Sequence, residues 1–433
     1  MTGARAIGVD LVLVLVLAGA VQPVAAEEKY EFDASQYEKK ALELNGFIEF
    51  RPERFALDTD AAFYKLNLAG QTPRESFNRM NGSVELSGIY RLEPLSFNFL
   101  ARGITQHDYT GGVDTGQILE GYLSWQAGTG ATLAAGKKAP HWGKGYAWNP
   151  AAFLDRQKDP NDPDLSREGF GIAGAELVKS LDGPLRTVAV SAMVVPTSGS
   201  MNNDFGTGNH ANPAAKLYLL YSDTDIDFMV LGHGARAARY GMDFSRNITP
   251  SLEAHGEWAR VLAQTRLVIG ENGQSGRETA STTSYLVGLR YLTENETTWI
   301  AEYYHNGAGY SEAEMDRFYA WVDRAAGSGS DALVRQARDL AAGSYAQPNP
   351  MRDYAYLRVS QKDPFDQLYW TPAVTIIANT ADRSYSVAPE IAYAGIANLD
   401  VRLRAMFLRG GRGTDFGERQ YDWRLELRAR YYF

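Results

Sequence analysis

Tyr421-Asp422-Trp423-Arg424-Leu425-Glu426-Leu427-Arg428-Ala429-Arg430-Tyr431-Tyr432-Phe433 is the stretch from which the fold is read. Successive side chains of an extended strand point to opposite sides, so Tyr421, Trp423, Leu425, Leu427, Ala429, Tyr431 and Phe433 share one face. Asp422, Arg424, Glu426, Arg428, Arg430 and Tyr432 share the other. A helix would mix the two sets. One face is apolar with aromatics at both ends, and the other is charged. Such a strand fits a soluble sandwich, or a barrel whose apolar face meets lipid and whose polar face lines a wet interior.

The alternation recurs upstream. Leu42, Leu44, Gly46, Ile48 and Phe50 alternate with Glu43, Asn45, Glu49 and Arg51. Val84, Leu86, Gly88 and Tyr90 alternate with Ser83, Glu85, Ser87 and Arg91, and Leu95, Phe97, Phe99 and Ala101 with Ser96, Asn98 and Arg102. Further segments lie near 62–69, 117–126, 131–138, 171–180, 185–195, 215–222, 225–233, 237–246, 251–261, 282–292, 297–306, 353–360, 371–379, 384–394 and 397–409. Many have roughly ten residues, the length a tilted strand needs to cross a bilayer. Tight turns at 91–94, 127–130, 181–184, 222–225, 247–250, 293–296 and 395–398 carry Gly, Pro, Asn or Asp. Longer polar stretches at 139–170, 196–214, 263–281, 307–352 and 410–419 lie between them. Short turns at one end and long loops at the other predict an antiparallel up-and-down transmembrane barrel, with the short turns periplasmic and the long loops extracellular. About nineteen segments qualify, and single-chain barrels usually have an even number; the expectation is about eighteen strands, with sixteen the alternative and the surplus segment lying among 42–51 and 62–69, where the Arg51 to Asp60 connector is ambiguous.

The chain has 433 residues, a net charge of -9 and no cysteine. Absence of cysteine excludes a disulfide framework, a thiolate zinc site and a c-type haem attachment. The acidic excess argues against a nucleic-acid partner. The 25 tyrosines suit membrane-water interfaces, where an apolar ring with a wet tip is at home. Arg5, the apolar run Leu11 to Leu17 and the small residues Val24-Ala25-Ala26 read as a secretory signal peptide over 1–26. Residues 27–41 are then a short periplasmic segment and 42–433 a single barrel, with no later run of apolar residues long enough for a spanning helix.

With these features the chain resembles the general class of bacterial outer-membrane, porin-like barrel proteins. The resemblance rests on the leader, the strand-turn rhythm and the terminal strand. It implies secretory export, insertion by the barrel-assembly machinery, outer-membrane lipid as solvent and residence in the outer membrane of a Gram-negative bacterium, with a homo-oligomer among the possible states. Phe433 and Tyr431, with Ala429 and Leu427 before them, resemble the assembly signal of that class. Gly136-Lys137-Lys138 followed by Trp142-Gly143-Lys144-Gly145 and Asn149-Pro150 looks like a strand-to-loop passage of large porin-like barrels.

Loop 139–170 is the most distinctive connector. Pro150, Pro160 and Pro163 stiffen it, and a stiff loop of this length can fold into a lumen and narrow it. Its charges Lys144, Arg156, Lys158, Asp159, Asp162, Asp164 and Arg167 would then stand beside a permeating solute, where narrow walls strengthen their field. A solvated outer loop with internal ion pairs, or calcium held by the three Asp, are the alternatives. Arg358, Arg402, Arg404, Arg424, Arg428 and Arg430 fall on polar strand faces and are expected to line the pore. Barrel closure should set Glu43 and Glu49 opposite the Arg424–Arg430 ladder, as part of a conducting path or of a static ion-pair lattice. In loop 307–352, Ser311 with Glu314 forms a capping box, and Met315, Phe318, Tyr319 and Val322 recur at helical spacing. A second helix is predicted over 331–341, and the two form a lid or an ornament.

Six histidines make no metal motif, and no nucleophile elbow occurs. His255 and Glu257 share a strand face, a possible acid-base pair but more simply a lumen hydrogen bond. No cofactor is implied. The leading expectation is a porin-like channel, not an enzyme, that passes small hydrophilic solutes. A non-conducting receptor or adhesin and an outer-membrane hydrolase stay as alternatives.

Overall fold

The computed structural model describes residues 40–433 apart from 272. The expected leader 1–26 and nearly all of segment 27–41 lie outside the described residues. Eighteen strands follow one another: β1 (Leu42–Leu57), β2 (Ser76–Leu92), β3 (Leu95–Asp108), β4 (Gly111–Gly128), β5 (Ala131–Lys138), β6 (Phe170–Ser180), β7 (Leu185–Thr197), β8 (His210–Tyr221) and β9 (Thr224–Leu231) make one half. β10 (Arg239–Thr249), β11 (Leu252–Ile269), β12 (Ser275–Leu292), β13 (Thr297–His305), β14 (Asp353–Gln361), β15 (Trp370–Asn379), β16 (Tyr385–Ile396), β17 (Leu399–Arg409) and β18 (Tyr421–Tyr432) make the other. Each pairs antiparallel with its chain neighbour, and β1 pairs with both β2 and β18, so the sheet closes into a barrel without edges.

At the seam Glu49 stands opposite Arg430 and Phe47 opposite Tyr432. Beyond the ladder, the Phe433 amide donates to the Gly46 carbonyl (3.0 Å) and the Gly46 amide to the Phe433 carbonyl (3.1 Å). The Phe433 ring lies over Gly46, where an added Cβ would come within 2.6 Å of both the ring and the Glu85 carbonyl. Overpacking of this kind typically costs about 1–3 kcal/mol. A Gly46→Val variant should therefore give a smaller heat-modifiable, folded fraction on cold gel electrophoresis than the parent. An unchanged fraction would mean the ring is not held at the seam.

Burial is inverted relative to a soluble protein. Leu44 (52%), Ile48 (53%) and Phe50 (54%) are exposed, whereas Glu49 (7%) and Glu53 (5%) are buried. The apolar surface turns outward, as hydrocarbon requires, and the charges turn to the lumen. Tyr90, Trp125, Tyr221, Tyr291, Trp299, Trp370 and Tyr431, all exposed, ring the short-turn end. Such a belt places amphipathic rings at a membrane interface. Among the described residues no helix is long and apolar enough to cross a membrane.

Several expectations need correction. Segment 62–69 is not a strand: Ala62–Asn67 forms α1, with Ala62, Phe63, Tyr64 and Leu66 all buried. Ala62, Phe63 and Leu66 pack into one apolar cluster and Tyr64 and Leu68 into another, while Lys65 and Asn67 stay at the surface. Stretch 263–281 is not a loop, because β11 runs to Ile269 and β12 starts at Ser275. The outward residues Thr283, Ser281, Thr279 and Arg277 continue the face of Tyr285 but are polar, so alternation disappears while the pairing persists. β4 likewise begins at Gly111 rather than 117, and Tyr109-Thr110 is a tight turn at the long-loop end. Tyr421, expected on the lipid face, packs edge-on against the buried Phe55 ring (5.3 Å). A register shift at Ala56/Leu57 sets Leu57 opposite Tyr421 and reverses its facing.

The long-loop end carries a packed lid. Ser311 and Glu314 form the capping box of α2 (Glu312–Gly327), and α3 (Asp331–Leu340) ends in a π turn at Ala341–Tyr345. Met315 and Phe318 are fully buried, and the Phe318 ring stacks on Tyr345, which stacks on Tyr310. The cluster extends from Phe63 of α1 to Tyr304, Tyr354, Tyr356, Met406 and Leu408 on the inner wall. One side of the lumen is thus filled with apolar side chains at this end.

Candidate functional site in the barrel lumen

Loop 139–169 leaves the wall after β5, returns at Phe170, and between those points crosses the lumen. Buried carboxylates on the far wall hold its apex. Glu257 of β11 accepts from the backbone amides of Lys144 (2.7 Å), Gly145 (2.7 Å) and Ala151 (2.9 Å). Glu302 of β13 accepts from the amides of Tyr146 (2.5 Å) and Ala147 (2.8 Å). Gly143 and Gly145 allow this approach: Cβ atoms there would stand 2.8 and 3.2 Å from the Glu257 carboxylate. Trp148 stacks on Tyr304 (5.1 Å between centroids) and donates to Asn349 of the lid connector (3.1 Å). Farther along, Arg404 of β17 donates to the Asn161 carbonyl (2.8 Å), Arg428 of β18 pairs with Asp162 (2.6 Å), and Ser166 donates to Glu85 of β2 (3.1 Å). Contacts with β2, β11, β13, β17 and β18 place the loop across the lumen.

Each charge expected in this loop has a definite place. Lys144 reaches Asp227 of β9 (3.2 Å), and Arg156 binds Glu168 (2.8 Å) and Asp204 (2.5 Å). Lys158 donates to the Gly145 carbonyl (2.5 Å), and burial together with Arg167 lowers its pKa from the usual lysine value. Asp159 accepts from the Asn161 amide and forms a local turn. Burial alone would raise the pKa of Asp162, but Arg428, aided by Arg404 and Arg402, outweighs it and holds the carboxyl below its usual range. Asp164 and Arg167 line a cavity of about 270 Å³ with Leu100, Glu120 and His141. Among the described residues no group of three Asp, Glu, His or Cys is arranged to hold a metal ion.

The wall arginines divide. Arg358 and Arg404 share Glu390 (2.6 Å each), Arg424 binds Glu53 (3.2 Å) and Arg430 binds Glu49 (2.6 Å). Arg402 stands directly opposite Arg428, and has no hydrogen-bond or ion-pair partner among the described residues. It lines a recess of about 130 Å³ at the short-turn mouth with Arg428, Arg430, Asp400, Tyr369 and Tyr432. Glu43 does not join the ladder and pairs instead with Arg91 (2.7 Å). The cause is register: β18 pairs with β1 only from Phe47 onward, so Glu43 lies past its end and reaches diagonally across β2. His255 does not pair with Glu257. Its Nε2 lies 2.8 Å from Glu302, while Glu257 is engaged by the loop.

Above the loop, toward the lid, a vestibule of about 600 Å³ opens between the loop and the inner wall. Arg156, Lys158, Arg236 and Arg239 line it together with Gln264, Thr282, Ser284 and Asn306. Its two carboxylates are engaged, Asp204 by Arg156 and Asp155 by the amides of His141 and Trp142. Sequence reasoning missed Arg236 because the connector before 237 carries no alternation, and missed Arg239 although the alternation of Arg239, Gly241, Asp243 and Ser245 with Tyr240, Met242 and Phe244 sets it on the polar face of its strand. The Phe205 ring beneath Arg236 (3.9 Å) is a partner 31 residues away, invisible to local pattern.

The chain matches no protein-family model and no curated protein. Among solved structures, a BenF-like porin from Pseudomonas fluorescens Pf-5 aligns over 90% of this chain and 98% of its own, at 12% identity and TM-score 0.52. OccK5 (OpdH) of Pseudomonas aeruginosa aligns over the same shares, at 12% identity and TM-score 0.50. The shared property is the fold: the chain is a closed eighteen-stranded, porin-like β-barrel of the outer-membrane type.

Proposed function

We propose that the barrel is an outer-membrane channel for small hydrophilic solutes, with loop 139–169 as its selectivity element and a preference for anionic ones. The observation that carries this reading is the loop itself, held across the lumen by carboxylates of the opposite wall, with a basic vestibule on one side and the Arg402 recess on the other. Fixed cations along such a path lower the barrier for anions without binding them tightly. Planar-bilayer recording of the purified barrel tests it: discrete anion-preferring conductance is expected, and a silent barrel would leave a surface receptor as the better assignment. Arg402→Glu should shift the reversal potential toward cation preference, because this arginine makes no bond whose loss would disturb the wall. Arg404→Glu is the poorer probe, since it would set three carboxylates together around Glu390 and Glu426. Selectivity unchanged in Arg402→Glu would remove the recess from the path.

A further inference from the structure

On the wall beside the loop apex, three carboxylates stand in one row across three strands. Asp243 of β10 is in register with Asp227 of β9 on one side and with Glu257 of β11 on the other. Asp243 and Asp227 are both fully buried. Among the described residues neither oxygen of Asp243 has a hydrogen-bond partner, and neither does Oδ1 of Asp227. Directly opposed side chains have Cβ atoms about 4.5–5.5 Å apart, so the two carboxyl groups confront each other.

The charged groups around them can be counted from every packed element. Lys144 of the loop approaches Asp227 Oδ2 at 3.2 Å, and Lys216 of β8 approaches Oδ1 at 3.5 Å. Asp225, on β9, accepts from the Tyr218 hydroxyl of β8. Glu257 is compensated by three loop amides. Two ammonium groups therefore face Asp225, Asp227 and Asp243, one negative charge too many, and Asp243 is the carboxylate no donor reaches. Two carboxylates sharing a buried site do not both ionise readily, and their titration belongs to the pair.

We propose that Asp227 and Asp243 form a proton-binding pair, one proton held between the two carboxyl groups, which sets the charge of the lumen wall beside the constriction. The proton supplies a donor between Asp243 and Oδ1 of Asp227, the oxygens left without a hydrogen bond. Its loss adds one negative charge next to Lys144. The electrical consequence rests on the conducting role proposed above, whereas the pair itself does not.

Infrared difference spectroscopy of the folded barrel tests the pair directly. A protonated-carboxyl C=O band is expected at neutral pH, absent from Asp243→Asn, whose amide copies the protonated acid. Should that variant fail to fold, Asp227→Asn breaks the pair from the other side and should abolish the same band. No band in the parent, or a band unchanged in the folded variant, overturns the proposal. In bilayers the parent's anion preference should fall in one step over the pH range in which the band disappears, and Asp243→Asn should show no step. A step that persists in that variant also overturns it. A silent barrel that keeps the band counts against conduction and leaves the proton site standing.

Discussion

Replacing Glu257 and Glu302 together with alanine is expected to raise the unit conductance several-fold and to flatten ion selectivity. The two carboxylates accept five backbone amides from residues 144–147 and 151. Hydrogen bonds to charged groups contribute about 1.5–3 kcal/mol each, and a buried donor left unmet carries its full desolvation penalty. With both partners gone, the apex has no compensated position on the far wall and swings out of the lumen. Trp148 leaves Tyr304 with the apex, whereas the Asp155 turn and the ties of Asn161, Asp162 and Ser166 remain, so the rest of the loop stays folded. Each single substitution should give a smaller change. A correctly folded double variant with parental conductance and selectivity would end the case for this loop as the selectivity element.

The second large effect is expected at Arg419. Its guanidinium donates to Asp415 (2.5 Å) and to the carbonyls of Gln347 (3.3 Å) and Pro348 (2.9 Å), joining the 410–420 connector to the lid connector. Asp415 is fully buried and, among the side chains of the described residues, otherwise accepts only from the Tyr354 hydroxyl (2.7 Å). Removing one member of a buried pair typically costs about 3–5 kcal/mol, because the other charge is left uncompensated. Arg419→Ala should therefore open 306–352 to limited proteolysis while the strands stay protected, and lower the thermal midpoint. Arg419→Lys keeps the charge but not the fork, and should fall between. Cleavage no faster than in the parent would show that the lid is held by its apolar cluster alone.

These two sites show how far the sequence reaches. Period-two alternation marked about nineteen segments, which the even-number rule brought to about eighteen, and it carried strand direction and most of the facing, Tyr421 excepted; the lid helices followed from Ser311, Glu314 and the spacing of Met315, Phe318 and Val322. Both are local rules. They failed where strands outgrow the lipid, as at 275–284, because an outward residue in water is free to be polar. They failed again at α1, whose burial depends on α2 some 250 residues later in the chain. The lumen was legible only in composition. That Glu257 and Glu302 face inward could be read from their strands; that each meets loop amides more than 100 residues away depends on how the loop crosses. Glu43 shows the same limit, since its partner was set by where β18 stops.

The bond between Gly46 and Phe433 also bears on the order in which the molecule can form. A wall of paired neighbours can grow as the chain emerges, since each hairpin needs only residues already made. The seam cannot, because it joins β1 to β18, the strand that lies farthest from it along the chain. Closing so long a loop adds little further entropy, as that penalty grows only with the logarithm of length, but contacts between distant residues form late. Until that moment β1 and β18 are open edges that would pair with any available strand. A chain lacking β18 would thus hold nearly all its other pairing and still present two unprotected edges, so aggregation rather than slow folding is the failure to expect of it.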